Sequence, residues 1–243
     1  MLRFATCLLA TAALASPSTA ALLSVSVESS VQADLPLTPV DLTATGDIDW
    51  AVWGLSELPT PGSLVPDVEK LGGTAIGPLS ELNGDPIVDF SQFSFSPAFD
   101  WSDGTPTANG DDVLAALVSR ENGVGAGFAV DIAVDASTRQ VIFYGQNFQS
   151  EGTFTATLDG MTVTETVVSD TPGEFGDTGS IFTIDFETSS PSTLSLRWEL
   201  TADLGILESI GLGAISVGSV PEPATVVLIS LAAIAGLSRR RDG

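Results

Sequence analysis

With 243 residues, 44 % of them hydrophobic and 7 % aromatic, the chain is long enough to bury one sizeable core, which excludes wholesale disorder. Its 31 acidic and eight basic residues leave a formal charge of −23, a surface that repels nucleic acid and anionic headgroups alike. There is no histidine and a single cysteine, Cys7, so a Ser-His-Asp apparatus and an internal disulfide are both excluded.

The first segment reads "MLRFATCLLATAALASPSTAALLS". Arg3 supplies a positive start, Phe4–Ala15 an apolar stretch, and Ser18 and Ala20 the small residues that favour cleavage between Ala20 and Ala21. Residues 1–20 are therefore expected to be a signal peptide, removed by signal peptidase after Sec export, and Cys7 leaves with it. All but two of the acids, but only four of the bases, lie between Ala21 and Ser219. The exported part is thus strongly acidic, and its stability must come from the core.

From there the signals are those of strands. Leu22–Val27, Leu42–Val52 and Phe90–Phe95 are predicted first, and Asp112–Arg120 reads as a short helix opened by an aspartate cap. "GFAVDIAVDAS" then alternates strictly, with Phe128, Val130, Ile132 and Val134 on one face and Asp131 and Asp135 on the other. Gln140–Gly145, Gly152–Leu158 and Met161–Val168 follow. "SIFTIDFET" directs Phe182, Ile184 and Phe186 inward. "TLSLRWEL" does the same with Leu194, Leu196, Trp198 and Leu200, and Ile210–Val217 is the last strand. Turn-prone pieces such as "LNGDP", "SDGTPTANGDD", "LDG" and "SDTPGEFGDTGS" separate them. Short strands at this spacing predict an all-β fold over residues 21–218, an antiparallel, jelly-roll-like sandwich.

The segments "DLTATGDIDWAVWGL" (41–55), "FDWSDGTPTA" (99–108) and "GFAVDIAVDASTRQVIFYGQNFQSEGTFTATLDG" (127–160) resemble successive parts of a β-sandwich module of secreted bacterial proteins, some of them beside glycoside hydrolases. That module is similar to galactose-binding-like jelly rolls. The resemblance spans roughly residues 41–218, and its motifs are structural, with no catalytic signature. After "DWAVWG" this chain departs from the pattern and reads "LSELPTPGSLVPDVEKLGG".

Two kinds of candidate site follow from residue types. Trp50 and Trp53, three apart, face opposite sides of a strand, so one belongs to the core and the other is free to stack on a sugar ring. Trp101 and Tyr144 are further candidates for glycan contact, whereas Trp198 alternates with leucines and reads as core. Asp47 and Asp49 share a strand face, Asp100 and Asp103 flank "WSDG", and Asp111 and Asp112 occupy the next loop. Loop carboxylates suit a structural calcium ion, although no D-x-D-x-D-G loop is present; no other cofactor is expected. A carboxylate-dependent glycoside hydrolase would need two facing acids, which no spacing here singles out.

The last segment, "VPEPATVVLISLAAIAGLSRRRDG", sets an apolar run before three arginines. Ala224–Leu237 spans about 21 Å as a helix. Pro221–Ser238 is the expected transmembrane element, and Arg239, Arg240 and Arg241 are its positive-inside stop. Val220, Pro221, Glu222 and Pro223, followed by the apolar run and the arginines, resemble the PEP-CTERM sorting signal, which places residues 219–243 in a separate tail. The resemblance implies a Gram-negative bacterium and an exosortase, a membrane transpeptidase that acts near Pro-Glu-Pro. It also implies a transient inner-membrane anchor facing the periplasm, then delivery to the cell surface or matrix in association with exopolysaccharide. The expected role is a non-enzymatic, glycan-binding or structural surface protein; the alternatives are a secreted glycoside hydrolase and a surface-coat protein without ligand.

Overall fold

The computed structural model describes residues 22–31, 39–55, 64–83, 87–89, 97–120, 123–136, 138, 140–169, 177–205 and 208–219. In chain order its first strands are β1 (Leu22–Val31), β2 (Val40–Asp41), β3 (Asp49–Val52), β4 (Val68–Lys70), β5 (Ser80–Leu82) and β6 (Ile87–Asp89). Next come β7 (Phe99–Trp101), β8 (Gly104–Thr105), β9 (Gly110–Val113), β10 (Leu117–Arg120), β11 (Gly127–Val134) and β12 (Gln140–Phe148). The last are β13 (Ser150–Leu158), β14 (Met161–Val168), β15 (Asp177–Glu187), β16 (Ser192–Asp203) and β17 (Ser209–Gly218). One helical turn, α1 (Leu42–Thr45), lies between β2 and β3.

These strands form an antiparallel β-sandwich. A nine-stranded sheet runs β1-β15-β12-β17-β3-β4-β8, with β10 on the free part of β17 and β6 on β10. A five-stranded sheet, β14-β13-β16-β11-β5, covers one face of it. Over part of the other face lie α1 and a three-stranded sheet, β2-β7-β9, where β2 and β7 are parallel.

The alternation in sequence produces this layering directly. Phe128, Val130, Ile132 and Val134 are buried, as are Leu194, Leu196, Trp198 and Leu200, so β11 and β16 turn one apolar face inward. β15 contributes Phe182, Ile184 and Phe186 from the facing sheet. Phe154 stacks on Phe182 with centroids 4.3 Å apart, and Phe143 and Trp198 close the cluster at 5.2 Å and 5.0 Å from those rings. Gly152 is required beside them, because a Cβ there would lie 2.2 Å from the Trp198 ring. β-branched residues fill the outer face of β13 and β14, where Thr153, Thr155 and Thr157 stand opposite Thr166, Thr164 and Thr162.

A second core lies on the opposite face of the nine-stranded sheet. Trp50, Val52, Tyr144 and Ala214 point away from the first core and meet Leu42, Phe99 and Trp101. The central strand β17 is consequently buried from Ile210 to Gly218, which explains its run of small and apolar residues.

Two predicted elements are corrected. Leu42–Val52 is not one strand: Asp41 Oδ1 accepts from Ala44 N, Gly46 N donates to Leu42 O, and this capped turn separates β2 from β3. Asp112–Arg120 is not a helix, because Asp112 adopts φ +54° and Leu117–Arg120 pairs with β17 on one side while Leu117–Ser119 pairs with β6 on the other. Ala115, Ala116, Leu117, Val118 and Ser119 are all buried, leaving no polar face for a helix to show. The predicted strand at Phe90–Phe95 lies outside the described residues.

Candidate functional site

The corner between α1 and β3 holds the end of β17 and the residue after it. Ile48 N donates to Val217 O at 3.1 Å, and Gly218 passes so close to Thr45 that a Cβ would lie 2.5 Å from its carbonyl oxygen. Ser219 then gives both its donors to one carboxylate: its N–H to Asp47 Oδ1 at 2.7 Å and its hydroxyl to Asp47 Oδ2 at 2.5 Å.

The other predicted aspartates are also engaged by the protein's own donors. Asp49, 4 % exposed, accepts from Trp50 N at Oδ1 and from Ala75 N and Ile76 N at Oδ2, tying the 73–77 segment to β3. Asp100 Oδ1 accepts from Asp112 N at 2.7 Å. Asp103 Oδ1 accepts from Thr43 Oγ1 at 2.9 Å and from Trp50 Nε1 at 3.0 Å, and its Oδ2 meets the Lys70 ammonium. Burial pushes the Asp103 carboxyl up, but the hydrogen bonds from Lys70, Thr43 and Trp50, with the Lys70 charge, outweigh it and hold the group below the ordinary aspartate value.

The strand face expected to join Asp47 and Asp49 is corrected. Asp47 is exposed in the bend before β3 while Asp49 is buried within it, so the two share no strand face. Among the described residues, no three acidic side chains gather as a metal-binding group.

The aromatic expectation is corrected as well, though half of its geometry holds. Trp50 and Trp53 do face opposite sides of β3, but each side is a core, and the rings are 0 % and 1 % exposed. Trp101 lies 5.7 Å from Trp50, and Tyr144 lies 5.3 Å from Phe99. Trp53 Nε1 donates to Leu64 O and Trp101 Nε1 to Thr107 O, each at 3.0 Å. Burial pushes the Tyr144 phenol above its ordinary value. None of the four rings presents a face to a sugar.

One open cleft of about 430 Å³ does lie on the surface. It is lined by Leu64, Pro66 and Glu69, by Ile76, Pro78 and Leu79, and by Asp49, Trp50 and Ala51 of β3. Leu64, Val65, Pro66, Glu69 and Gly73 in its lining come from the stretch in which this chain departs from the module it resembles. The sequence offers for it only the departure "LSELPTPGSLVPDVEKLGG", which signals no cavity. The Asp47–Ser219 pair had no sequence signal either, since its partners are 172 positions apart.

Ser219 is also where a known motif begins. Residues 219–241 match the PEP-CTERM protein-sorting motif. The tail is a sorting signal. It marks the chain as an exported substrate recognised by an exosortase in a Gram-negative bacterium, with a transient C-terminal membrane anchor. Val220, Pro221, Glu222, Pro223, the expected helix at 221–238 and Arg239, Arg240 and Arg241 all lie outside the described residues, as do Ala20 and Ala21. Among the described residues no helix is long and apolar enough to cross a membrane. A search of curated proteins found no match. Among solved structures, the carbohydrate-binding module TmCBM61 in complex with beta-1,4-galactotriose is similar at 11 % identity and TM-score 0.35, covering 58 % of this chain and 87 % of that one.

Proposed function

We propose that this protein is a non-enzymatic component of the cell surface or extracellular matrix, released from its anchor by the exosortase and associated with exopolysaccharide. In this reading, residues 1–20 are removed as a signal peptide, residues 21–218 are the delivered sandwich, and residues 219–243 are the sorting tail. The observation that carries it is the position of the motif, whose match starts at the residue after β17. The sandwich is thus the cargo that the tail delivers. A non-catalytic role is supported by the carboxylates themselves. Asp47, Asp49, Asp100 and Asp103 each accept hydrogen bonds from the protein, which suits holding loops rather than moving protons.

Saccharide contact belongs in this reading to the open cleft. The apolar side chains of Leu64, Pro66 and Pro78 suit the C–H face of a sugar, and Glu69 suits its hydroxyls as an acceptor. Passing exported protein over immobilised exopolysaccharide, beside a screen for glycoside turnover, tests the proposal. The expected result is retention without turnover, weakened by Glu69→Lys. Turnover abolished by one Asp or Glu substitution would establish a hydrolase instead, and passage without retention a coat protein lacking a glycan ligand.

A further inference from the structure

The sandwich leaves almost no free chain before the sorting motif. β17 is paired along its length, with β12 on one side and with β10 and β3 on the other, and Gly218 itself still pairs with Gln140. A central strand buried on both faces does not fray at low cost, since its release exposes core and breaks two ladders. Ser219 is different. It is exposed, and beyond Gly218 it is held by the two bonds to Asp47.

Asp47 is itself fixed from elsewhere. It follows α1, which is capped by Asp41 and joined to Asp103 through Thr43, and it precedes β3 in the middle of the sheet. Its carboxylate therefore meets Ser219 only when the sandwich is folded. Between Ser219 and the apolar run at Ala224 stand four residues, a reach of at most about 14 Å. An enzyme that takes its substrate as an extended segment at the membrane face must fit that segment between a folded body and the lipid.

We propose that Asp47 is a positioning residue for sorting: by clamping Ser219 it keeps the leash short and slows access of the exosortase to Pro221–Pro223. This inference rests on the sorting reading of the tail and adds a brake built by the fold. The step it governs is the release of Ser219, which lengthens the accessible segment by a residue and frees the direction in which it leaves the sheet.

The test follows the full-length chain in cells that carry the exosortase, with pulse-labelling and separation of anchored from processed forms. Asp47→Ala is expected to speed loss of the tail by about threefold to tenfold, the range set by releasing a modest exposed hydrogen-bonded pair. A four-residue Gly-Ser insertion between Ser219 and Val220 leaves the clamp and the sandwich intact, and should speed processing at least as much. Adding Asp47→Ala to the insertion should then change nothing more, a non-additivity that a general loss of stability would not produce. Equal or slower processing in the insertion variant, or additive effects in the double variant, would overturn the brake while leaving the tail a sorting signal. Retention of the tail in every variant, with and without exosortase, would overturn both.

Discussion

Between the two large sheets, Phe143, Phe154 and Phe182 pack ring against ring, and the two indole donors, Trp53 Nε1 and Trp198 Nε1, reach main-chain carbonyls of Leu64 at 3.0 Å and Gln146 at 3.2 Å. Across the nine-stranded sheet, the smaller core is built from Trp50, Trp101, Phe99 and Tyr144, and both indoles need acceptors. The first core depends mainly on shape and apolar area, its indoles being satisfied by the backbone. The second depends on shape plus polar partners, chiefly Asp103, which joins α1, β3 and β4 through Thr43, Trp50 and Lys70. The difference teaches where each half is vulnerable: one to a lost ring, the other to a lost carboxylate.

The largest effect should come from the ring-packed core between the two large sheets. Phe154→Ala removes the ring stacked on Phe182 and is expected to cost about 3–5 kcal/mol, read by denaturant unfolding of the exported protein. A cost near that of an exposed substitution would mean that the two sheets do not meet as described.

Asp103→Asn should cost less, about 1–3 kcal/mol, because the carboxylate's bonds weaken and the buried Trp50 donor loses a charged acceptor. Its signature is pH dependence. The native Asp103 carboxyl titrates below its unfolded value, so its contribution is fully present above the unfolded value and is lost as pH falls through the lower native one. The stability gap between the native protein and Asp103→Asn should therefore be constant near neutrality and narrow only below about pH 4. Unfolding series at several acidic pH values check this, and a gap independent of pH would remove Asp103 from the second core's support.

The smallest change is expected on the outer face, where Thr157 Oγ1 and Thr162 Oγ1 lie 3.0 Å apart in an exposed pair. Thr157→Val keeps the β-branched shape and should shift stability by less than about 0.5 kcal/mol. A larger loss would give this hydroxyl face a structural part that neither core requires.

How much of this was legible from residues alone depends on range. β14 was predicted at Met161–Val168 and is found there, and β11 and β16 bury the predicted faces. Their alternation is a local property, visible whatever the strands pair with. α1 was missed although its cap was written in the chain, because Asp41 and Gly46 bracket a turn inside what reads as a β-prone stretch. β10 reads as helix in the sequence because every residue from Ala115 to Ser119 is buried, which removes the alternation that identifies a strand. At the candidate sites, the aromatic residues were the right ones to notice and the wrong ones to expose. Trp50 and Tyr144 look like platforms until a further layer covers them.

Composition and pattern alone therefore determined an acidic all-β body between two apolar termini, and the four-residue Val-Pro-Glu-Pro boundary before the last of them. Those are properties of charge count, period and segment order, which need no partner. Only tertiary structure decided that one sheet would carry cores on both faces, that the notable aspartates would spend their oxygens on the protein's own donors, and that Asp47 would reach Ser219. The reason is that each of these depends on which strands, far apart in the chain, become neighbours.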